Sequence, residues 1–216
     1  MFAGHYTTAF VAKAAEPRTP LWVLLLAAQF VDVLWVLCIL AGIEHARLDP
    51  SLASNPLDLY DMPWTHSLAG TAAWSAVAYA GSKRALRLPS KQAALVAAVT
   101  ASHWFLDLVV HRPDLTIAGG TSKLGLAIWN YPMPAYLLEV ALVVASVALA
   151  TRASTTSEAQ RGPWLRLGAA LVLVQTAITF GPLPPSLDAM ATTGLVFYGL
   201  VAAGGWWVDR RTAAAT

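Results

Sequence analysis

Six apolar stretches dominate this sequence, and they limit the folds that the chain can adopt. A helix needs roughly 20 apolar residues to cross the roughly 30 Å hydrocarbon core of a bilayer, where backbone polar groups must be paired internally. Composition agrees, because 57% of the 216 residues are hydrophobic and only 12% are charged. We therefore predict an all-α, polytopic transmembrane helix bundle with six spans, at residues 21–43, 66–81, 92–110, 134–150, 165–180 and 187–208.

The first sixteen residues form a separate short element. Residues 3–15 favour a helix but are too few to span a membrane, and Pro17-Arg18-Thr19-Pro20 ends that helix. No basic region precedes an apolar core, so we expect no cleaved signal peptide. We predict a single integral membrane domain over residues 1–216, in which a short N-terminal helix at 1–16 forms a hairpin with the first span of a six-helix bundle at 17–212.

Basic residues are distributed unevenly between the two sides of the predicted spans. Arg47, Arg112 and Lys123 lie on one side. The other side carries Lys13, Arg18, Lys83, Arg84, Arg87, Lys91, Arg152, Arg161, Arg166, Arg210 and Arg211. The positive-inside rule therefore places the C-terminus in the cytoplasm and the long loops outside. We expect the membrane to be a bacterial inner (plasma) membrane. One of these outer loops, residues 44–63, is long enough to fold over the outer mouth as a lid.

Ionisable side chains interrupt the apolar stretches at few positions. His103, Asp107 and His111 each follow the last by four residues, so a helix places them on one stripe. Asp32 lies in the middle of the first predicted span, with no charged neighbour for ten residues on either side. Ionisable groups inside a membrane are costly, and this cost favours a functional role for these residues.

Helical geometry places several of these side chains at a similar depth. His5 and Asp32 are equally far from the turn of the N-terminal hairpin, and both lie roughly 20 Å above it at 1.5 Å per residue. The same measurement puts His103 at that depth, with His66 and Glu139 also in the outer half of the bundle. Imidazole and carboxylate groups are preferred ligands of zinc and related divalent ions. We therefore predict a site for one or two zinc ions, or another divalent metal.

The candidate metal ligands are His5, Asp32, His66, His103 and Asp107, with His111 as a further ligand. The His66 ring could be oriented by either of its neighbours, Thr65 or Ser67. A metal held with an open coordination position lowers the pKa of bound water and supplies a nucleophile. Asp107 and Glu139 are our candidate catalytic residues, with Glu139 transferring protons. Trp129 and Asn130, just before the Glu139 span, are candidates for binding a substrate headgroup.

Several short motifs together resemble those of a known family. They are Gly4-His5, an Asp on the following helix, Thr65-His66-Ser67 and Ser102-His103-x-x-x-Asp107. Over roughly the first half of the chain, these motifs are similar to those of the YdjM/YbcI-type membrane-bound metal-dependent hydrolases. That family carries Asp-x-Asp-His where this chain reads Asp32-Val33-Leu34-Trp35, so the number of metal ions stays open. The residue order also resembles that of zinc-dependent phospholipases C, which implies cleavage of phosphoesters.

We therefore expect a membrane-embedded metal-dependent hydrolase. Its substrate would be an amphipathic ester or phosphoester, such as a phospholipid or an isoprenoid phosphate. Three alternatives remain: a proton-coupled transporter that uses the Asp and His residues as a relay, a haem-binding redox protein, and a structural subunit in which His103 and Asp107 only pack. The small net charge of +2, with basic residues at the span ends, argues against nucleic acid as a partner.

Overall fold

The computed structural model describes residues 1–154 and 157–213, and this part of the chain is mostly helical. A 3-10 turn at Ala3–His5 leads into the first helix. The helices are α1 Tyr6–Ala15, α2 Leu21–Ala28, α3 Phe30–Leu40, α4 Leu68–Arg84, α5 Ser90–Val110, α6 Pro132–Ser154, α7 Glu158–Phe180 and α8 Leu187–Ala213. Two short strands, β1 His45–Leu48 and β2 Leu57–Asp61, separate α3 from α4, and a second 3-10 turn, Ile128–Asn130, precedes α6.

The number of helices that could cross a membrane is smaller than the six that the sequence predicts. Among the described residues, four are long and apolar enough: Ser90–Val110, Pro132–Ser154, Glu158–Phe180 and Leu187–Thr212. A fifth is added if α2 and α3, which are bent by 51°, count as one broken span. The predicted span at 66–81 becomes α4, whose 17 residues reach only about 25 Å at 1.5 Å per residue. The helical fold is thus confirmed and is compatible with a membrane protein, whereas six spans are not confirmed.

The predicted first span is interrupted at Gln29, where no proline or glycine occurs. Side chains of α5 contact the last two carbonyl groups before the bend: the Thr100 hydroxyl donates to Ala27 O at 3.2 Å, and His103 Nδ1 lies 2.9 Å from Ala28 O. Helices kink where a side chain takes over carbonyl groups of the backbone ladder. The bend therefore fixes α5 against α2 and starts α3, which carries Asp32, in a new direction.

The predicted loop at 44–63 contains an antiparallel β-ribbon. His45 pairs with Asp61, Arg47 with Asp58 and Leu48 with Leu57. The inner face of the ribbon is apolar, and its buried residues share one core cluster with the α3 residues Trp35, Val36 and Ile39; they are Leu57, Leu59 and Met62. The ribbon therefore shares a buried core with α3, and a role as a lid stays a prediction.

Polar side chains hold the N-terminal turn inside the bundle. Phe2 N and Gly4 N both donate to Glu139 Oε2, at 2.9 and 3.1 Å. Ala3 N donates to Gln175 Oε1 at 3.3 Å. The first N–H groups of a helix have no partner within the helix, and here side chains of α6 and α7 supply the missing acceptors. These bonds position His5, which ends the turn and is 1% exposed.

Candidate metal centre

Asp107 on α5 is the centre of a buried cluster of carboxylates and imidazoles. Its Oδ1 lies 3.0 Å from His5 Nε2 and 3.2 Å from His111 Nε2. Its Oδ2 lies 3.1 Å from His103 Nε2 and 3.7 Å from His66 Nε2. The two oxygens of one carboxylate thus face imidazole nitrogens from four places in the chain.

Asp32 on α3 adds a second carboxylate to this cluster. Its Oδ1 lies 3.3 Å from His66 Nε2 and 3.4 Å from His103 Nε2. Two groups have ligand atoms that all lie within 4.8 Å of one another: His5 with His103 and Asp107, and Asp32 with His66 and His103. The structure therefore brings all six candidate ligands, including His111, together, and we call this set the metal cluster.

The spacing of the cluster suits a metal ion. Two ligands that bind one zinc ion at about 2.0–2.1 Å lie about 3.0–3.5 Å apart, and most of the distances above are of this size. Three atoms that face the shared space are buried and find no hydrogen-bond partner among the described residues: His5 Nε2, His103 Nε2 and Asp107 Oδ2. Buried polar atoms are nearly always paired, so these three atoms call for a further partner. The residues present thus fit a divalent ion.

Two of the histidines are held in the tautomer that binds metal through Nε2. The Nδ1 atom of His103 lies 2.9 Å from the Ala28 carbonyl, which can only accept a hydrogen bond. The Nδ1 atom of His111 lies 2.8 Å from Asp114 Oδ1. In a neutral ring, each Nδ1 therefore carries the proton and each Nε2 turns a lone pair towards Asp107. Only a cation or an added proton makes such a contact favourable.

His111 illustrates this preference for positive charge. The residue follows the last turn of α5 and is 2% exposed. Burial by itself would lower the pKa of His111, but the carboxylates of Asp107 and Asp114 outweigh burial and raise that pKa. A divalent cation beside His111 would be stabilised by the same carboxylates.

The two neighbours of His66 have different functions. Thr65 Oγ1 lies 2.9 Å from His66 Nδ1, so Thr65 contacts the ring. Ser67 instead caps α4: its hydroxyl accepts from Gly70 N at 3.0 Å and donates to Pro63 O at 2.7 Å. Of the two orienting residues that the sequence left open, the structure selects Thr65. A hydroxyl can donate or accept, so this contact alone does not fix the tautomer of His66.

The N-terminal segment fills the remaining side of the cluster. The ring of His5 stacks on the ring of His103 with centroids 3.8 Å apart and an angle of 6° between the planes. The amino nitrogen of Met1 lies 2.7 Å from Asp107 Oδ1. The Asp107 carboxylate is therefore contacted by five nitrogen atoms, from Met1, His5, His66, His103 and His111.

The other candidate residues lie around the cluster. Glu139 is 3% exposed, and its Oε2 accepts the two backbone N–H groups of the N-terminal turn. Trp129 is 5% exposed and packs its ring 4.1 Å from that of His111. Asn130 Oδ1 accepts from Arg112 Nε at 2.9 Å. Glu139 thus holds the turn that carries His5, Trp129 packs on His111, and Asn130 contacts the residue that follows His111. Proton transfer by Glu139 and headgroup binding by Trp129 and Asn130 stay predictions.

The sequence did not identify three groups that hold the histidines. Asp114 was detectable, because it follows His111 by three residues in the sequence. The Ala28 carbonyl can accept from His103 only because the helix is interrupted at Gln29, and no proline or glycine at that position indicates the bend in the sequence. Glu44 contacts Thr65 from 21 residues earlier in the chain, and no local pattern connects the two.

Comparisons with other proteins identify no relative. No protein-family model matches this chain, no curated protein is similar to it, and no solved structure resembles it at a significant level. The family resemblance of the sequence motifs therefore stays a prediction.

Proposed function

We propose that this protein is a membrane-embedded hydrolase that uses one or two zinc ions to cleave an amphipathic ester or phosphoester. One observation carries the proposal: both oxygens of Asp107 face imidazole Nε2 atoms, and two of these rings are fixed with their lone pairs towards the carboxylate. Four buried atoms of the metal cluster lack a hydrogen-bond partner within the described chain. Bound cations or added protons would provide the missing partners.

The arrangement supports one ion or two. With both oxygens in use, Asp107 can bridge a position near His5 and His111 and a position near His66, His103 and Asp32. Asp32 and Asp107 together bring two negative charges, which a divalent ion would offset. A zinc ion held by these residues would lower the pKa of a water molecule and supply a nucleophile near neutral pH.

The surroundings of the cluster favour a lipid-like substrate. Large apolar side chains of α3 and the following turn are exposed on the bundle surface; they are Leu37, Leu40 and Ile43. An acyl or isoprenyl chain could rest on such a surface, while its ester or phosphate group reaches the cluster. In this proposal Glu139 transfers protons, and Trp129 and Asn130 contact the headgroup beside His111.

The compact cluster favours a bare ion over a haem. Ligation of haem by two histidines requires a macrocycle between them, whereas His5 and His103 stack directly at 3.8 Å. A proton relay would use the same residues without metal, so metal content separates it from the hydrolase.

Elemental analysis of detergent-purified protein tests the proposal. We expect about one or two zinc ions per chain in the wild type and trace amounts in His103→Ala and Asp107→Ala, since each substitution removes a ligand. His45→Ala is the matched control, because His45 is a half-exposed histidine that pairs with Asp61 on the ribbon. Equal trace zinc in all four proteins would end the hydrolase proposal.

An activity measurement completes the test. The wild type is incubated in mixed micelles with farnesyl phosphate and, separately, with a short-chain phosphatidylcholine. Phosphate or headgroup release that stops with a chelator and returns with zinc is expected for at least one substrate. If the protein binds zinc but hydrolyses neither substrate, the metal site is retained and the proposed hydrolase activity is refuted.

A further inference from the structure

Glu44 is a buried carboxylate that lies outside the metal cluster and is 1% exposed. It follows α3 and reaches the start of the α4 segment. Its Oε1 accepts from Trp64 N at 2.7 Å and from Thr65 N at 2.9 Å. Its Oε2 accepts from the Thr65 hydroxyl at 2.6 Å. The side chain thus contacts the residue that touches the ring of His66.

The position of one proton follows from these contacts. A carboxylate can only accept hydrogen bonds, so the single proton of the Thr65 hydroxyl points to Glu44. The hydroxyl oxygen then offers only lone pairs to His66 Nδ1, which lies 2.9 Å away. His66 Nδ1 must therefore carry a proton, and in a neutral ring this leaves the lone pair on Nε2, beside Asp32 and Asp107.

We propose that Glu44 is a positioning residue that acts through Thr65 to hold His66 as the Nδ1–H tautomer. His103 and His111 reach the same tautomer by simpler means, through a carbonyl and a carboxylate in direct contact. All three rings thereby present Nε2 to Asp107, and His66 and His103 also present it to Asp32. The benefit to metal binding rests on the proposed function, but the tautomer is a property of the chain without metal.

The substitution Glu44→Gln should reverse the direction of these hydrogen bonds. Two backbone N–H groups face Oε1, so the amide oxygen keeps that position and the amide NH₂ faces Thr65. The Thr65 hydroxyl then accepts from the amide and turns its proton towards His66 Nδ1. His66 would give up its Nδ1 proton and adopt the Nε2–H form.

The experiment measures ¹⁵N NMR signals of the histidine rings in metal-free protein in detergent micelles, with the pH raised until the signals of neutral rings are observed. The His66 signals are assigned by their loss in His66→Gln. We expect the Nδ1–H form in the wild type and in Thr65→Ser, the Nε2–H form in Glu44→Gln, and a mixture in Thr65→Val. The signals of His103 and His111 should not change, which shows that the fold is intact.

A zinc titration supplies the second readout. Orienting partners of metal ligands typically contribute about 10–100-fold in affinity, so Glu44→Gln and Thr65→Val should weaken zinc binding by about that factor, whereas Thr65→Ser should keep it. Asp61→Asn, on the exposed side of the ribbon, is the control for a carboxylate lost near Glu44.

The outcomes separate the two proposals. A His66 that keeps the Nδ1–H form in both Glu44→Gln and Thr65→Val, or the Nε2–H form in the wild type, would overturn the role of Glu44. If Glu44→Gln does not fold, Thr65→Ser against Thr65→Val decides the question, because both leave the Glu44 contacts to backbone N–H groups in place. A tautomer that switches in a protein without zinc or turnover would refute the hydrolase and retain the positioning role.

Discussion

Two buried polar groups lie at the two ends of α1, and they balance their charges differently. His5, in the metal cluster, and Lys13 are two helical turns apart, about 12 Å at 1.5 Å per residue. Lys13 Nζ donates to Asp209 Oδ1 at 2.7 Å and to Thr19 O at 2.9 Å. Asp209 Oδ2 accepts from Leu21 N, the first residue of α2, at 2.6 Å. This end thus combines one cation, one anion and backbone groups that need partners.

The contrast separates a structural polar group from a candidate functional one. The Lys13 and Asp209 pair neutralises itself and satisfies the start of a helix. The metal cluster holds two carboxylates and imidazoles with fixed lone pairs, beside the amino nitrogen of Met1, and four of its buried atoms lack a hydrogen-bond partner among the described residues. Burial alone therefore does not identify a site. The informative property is a charge and hydrogen-bond balance that the chain does not complete by itself.

The strongest test of this contrast is the response of stability to zinc. A ligand at a thousandfold excess over its Kd stabilises a protein by about 4 kcal/mol, so saturating zinc should raise the wild-type unfolding temperature clearly. The double variant Asp32→Asn/Asp107→Asn should gain nothing. Thermal unfolding in detergent, with a chelator and then with zinc, measures both. If zinc does not change the unfolding temperature of the wild type, the polar groups at both ends of α1 are structural.

Removal of one charge at the other end should lower stability and leave zinc binding intact. Lys13→Met leaves Asp209 without its cation, and we expect a loss of about 2 kcal/mol, below the value for a fully buried pair because Asp209 is partly exposed. Lys13→Met/Asp209→Asn should recover part of that loss, since the amide oxygen still accepts from Leu21 N. Chemical unfolding and zinc content are measured together; a loss of zinc in Lys13→Met would contradict the separation of the two ends.

Asp114→Ala tests how much of the cluster depends on its supporting groups. The substitution removes the acceptor of His111 Nδ1, and such partners contribute about tenfold or more to metal affinity. We expect zinc binding to weaken by about tenfold, with the stoichiometry unchanged at high zinc. Isothermal titration of the metal-free protein provides the measurement. Unchanged affinity would show that Trp129 packing alone orients the His111 ring.

The smallest effect is expected at the exposed histidine. His45 and Asp61 are both about half exposed, so their ion pair is screened by water. His45→Ala should cost less than about 0.5 kcal/mol and leave zinc content unchanged. A zinc loss equal to that of His103→Ala would show that substitution of any histidine removes the metal, and would weaken the inference from the cluster.

The sequence identified the residues of the cluster better than the path of the backbone around them. The four-residue spacing of His103 and Asp107 survives because the regular helix α5 carries both residues, and His111 directly follows its last turn. The sequence also predicted that His5 and Asp32 lie at the depth of His103, since the number of helical residues from the turn fixes the depth. The sequence did not reveal the bend at Gln29, because the bend depends on side chains of α5. It also did not reveal the shortness of α4, whose residues are neither strongly apolar nor strongly polar.

The sequence by itself determined the helical character of the chain and the residues that could bind a metal, because hydropathy and helical periodicity are local properties. The tertiary structure alone decided that two oxygens of Asp107 face rings from distant segments, that Ala28, Thr65 and Asp114 orient those rings, and that Lys13 is paired at the opposite end. These facts depend on distances between segments far apart in the chain, and only packing sets such distances.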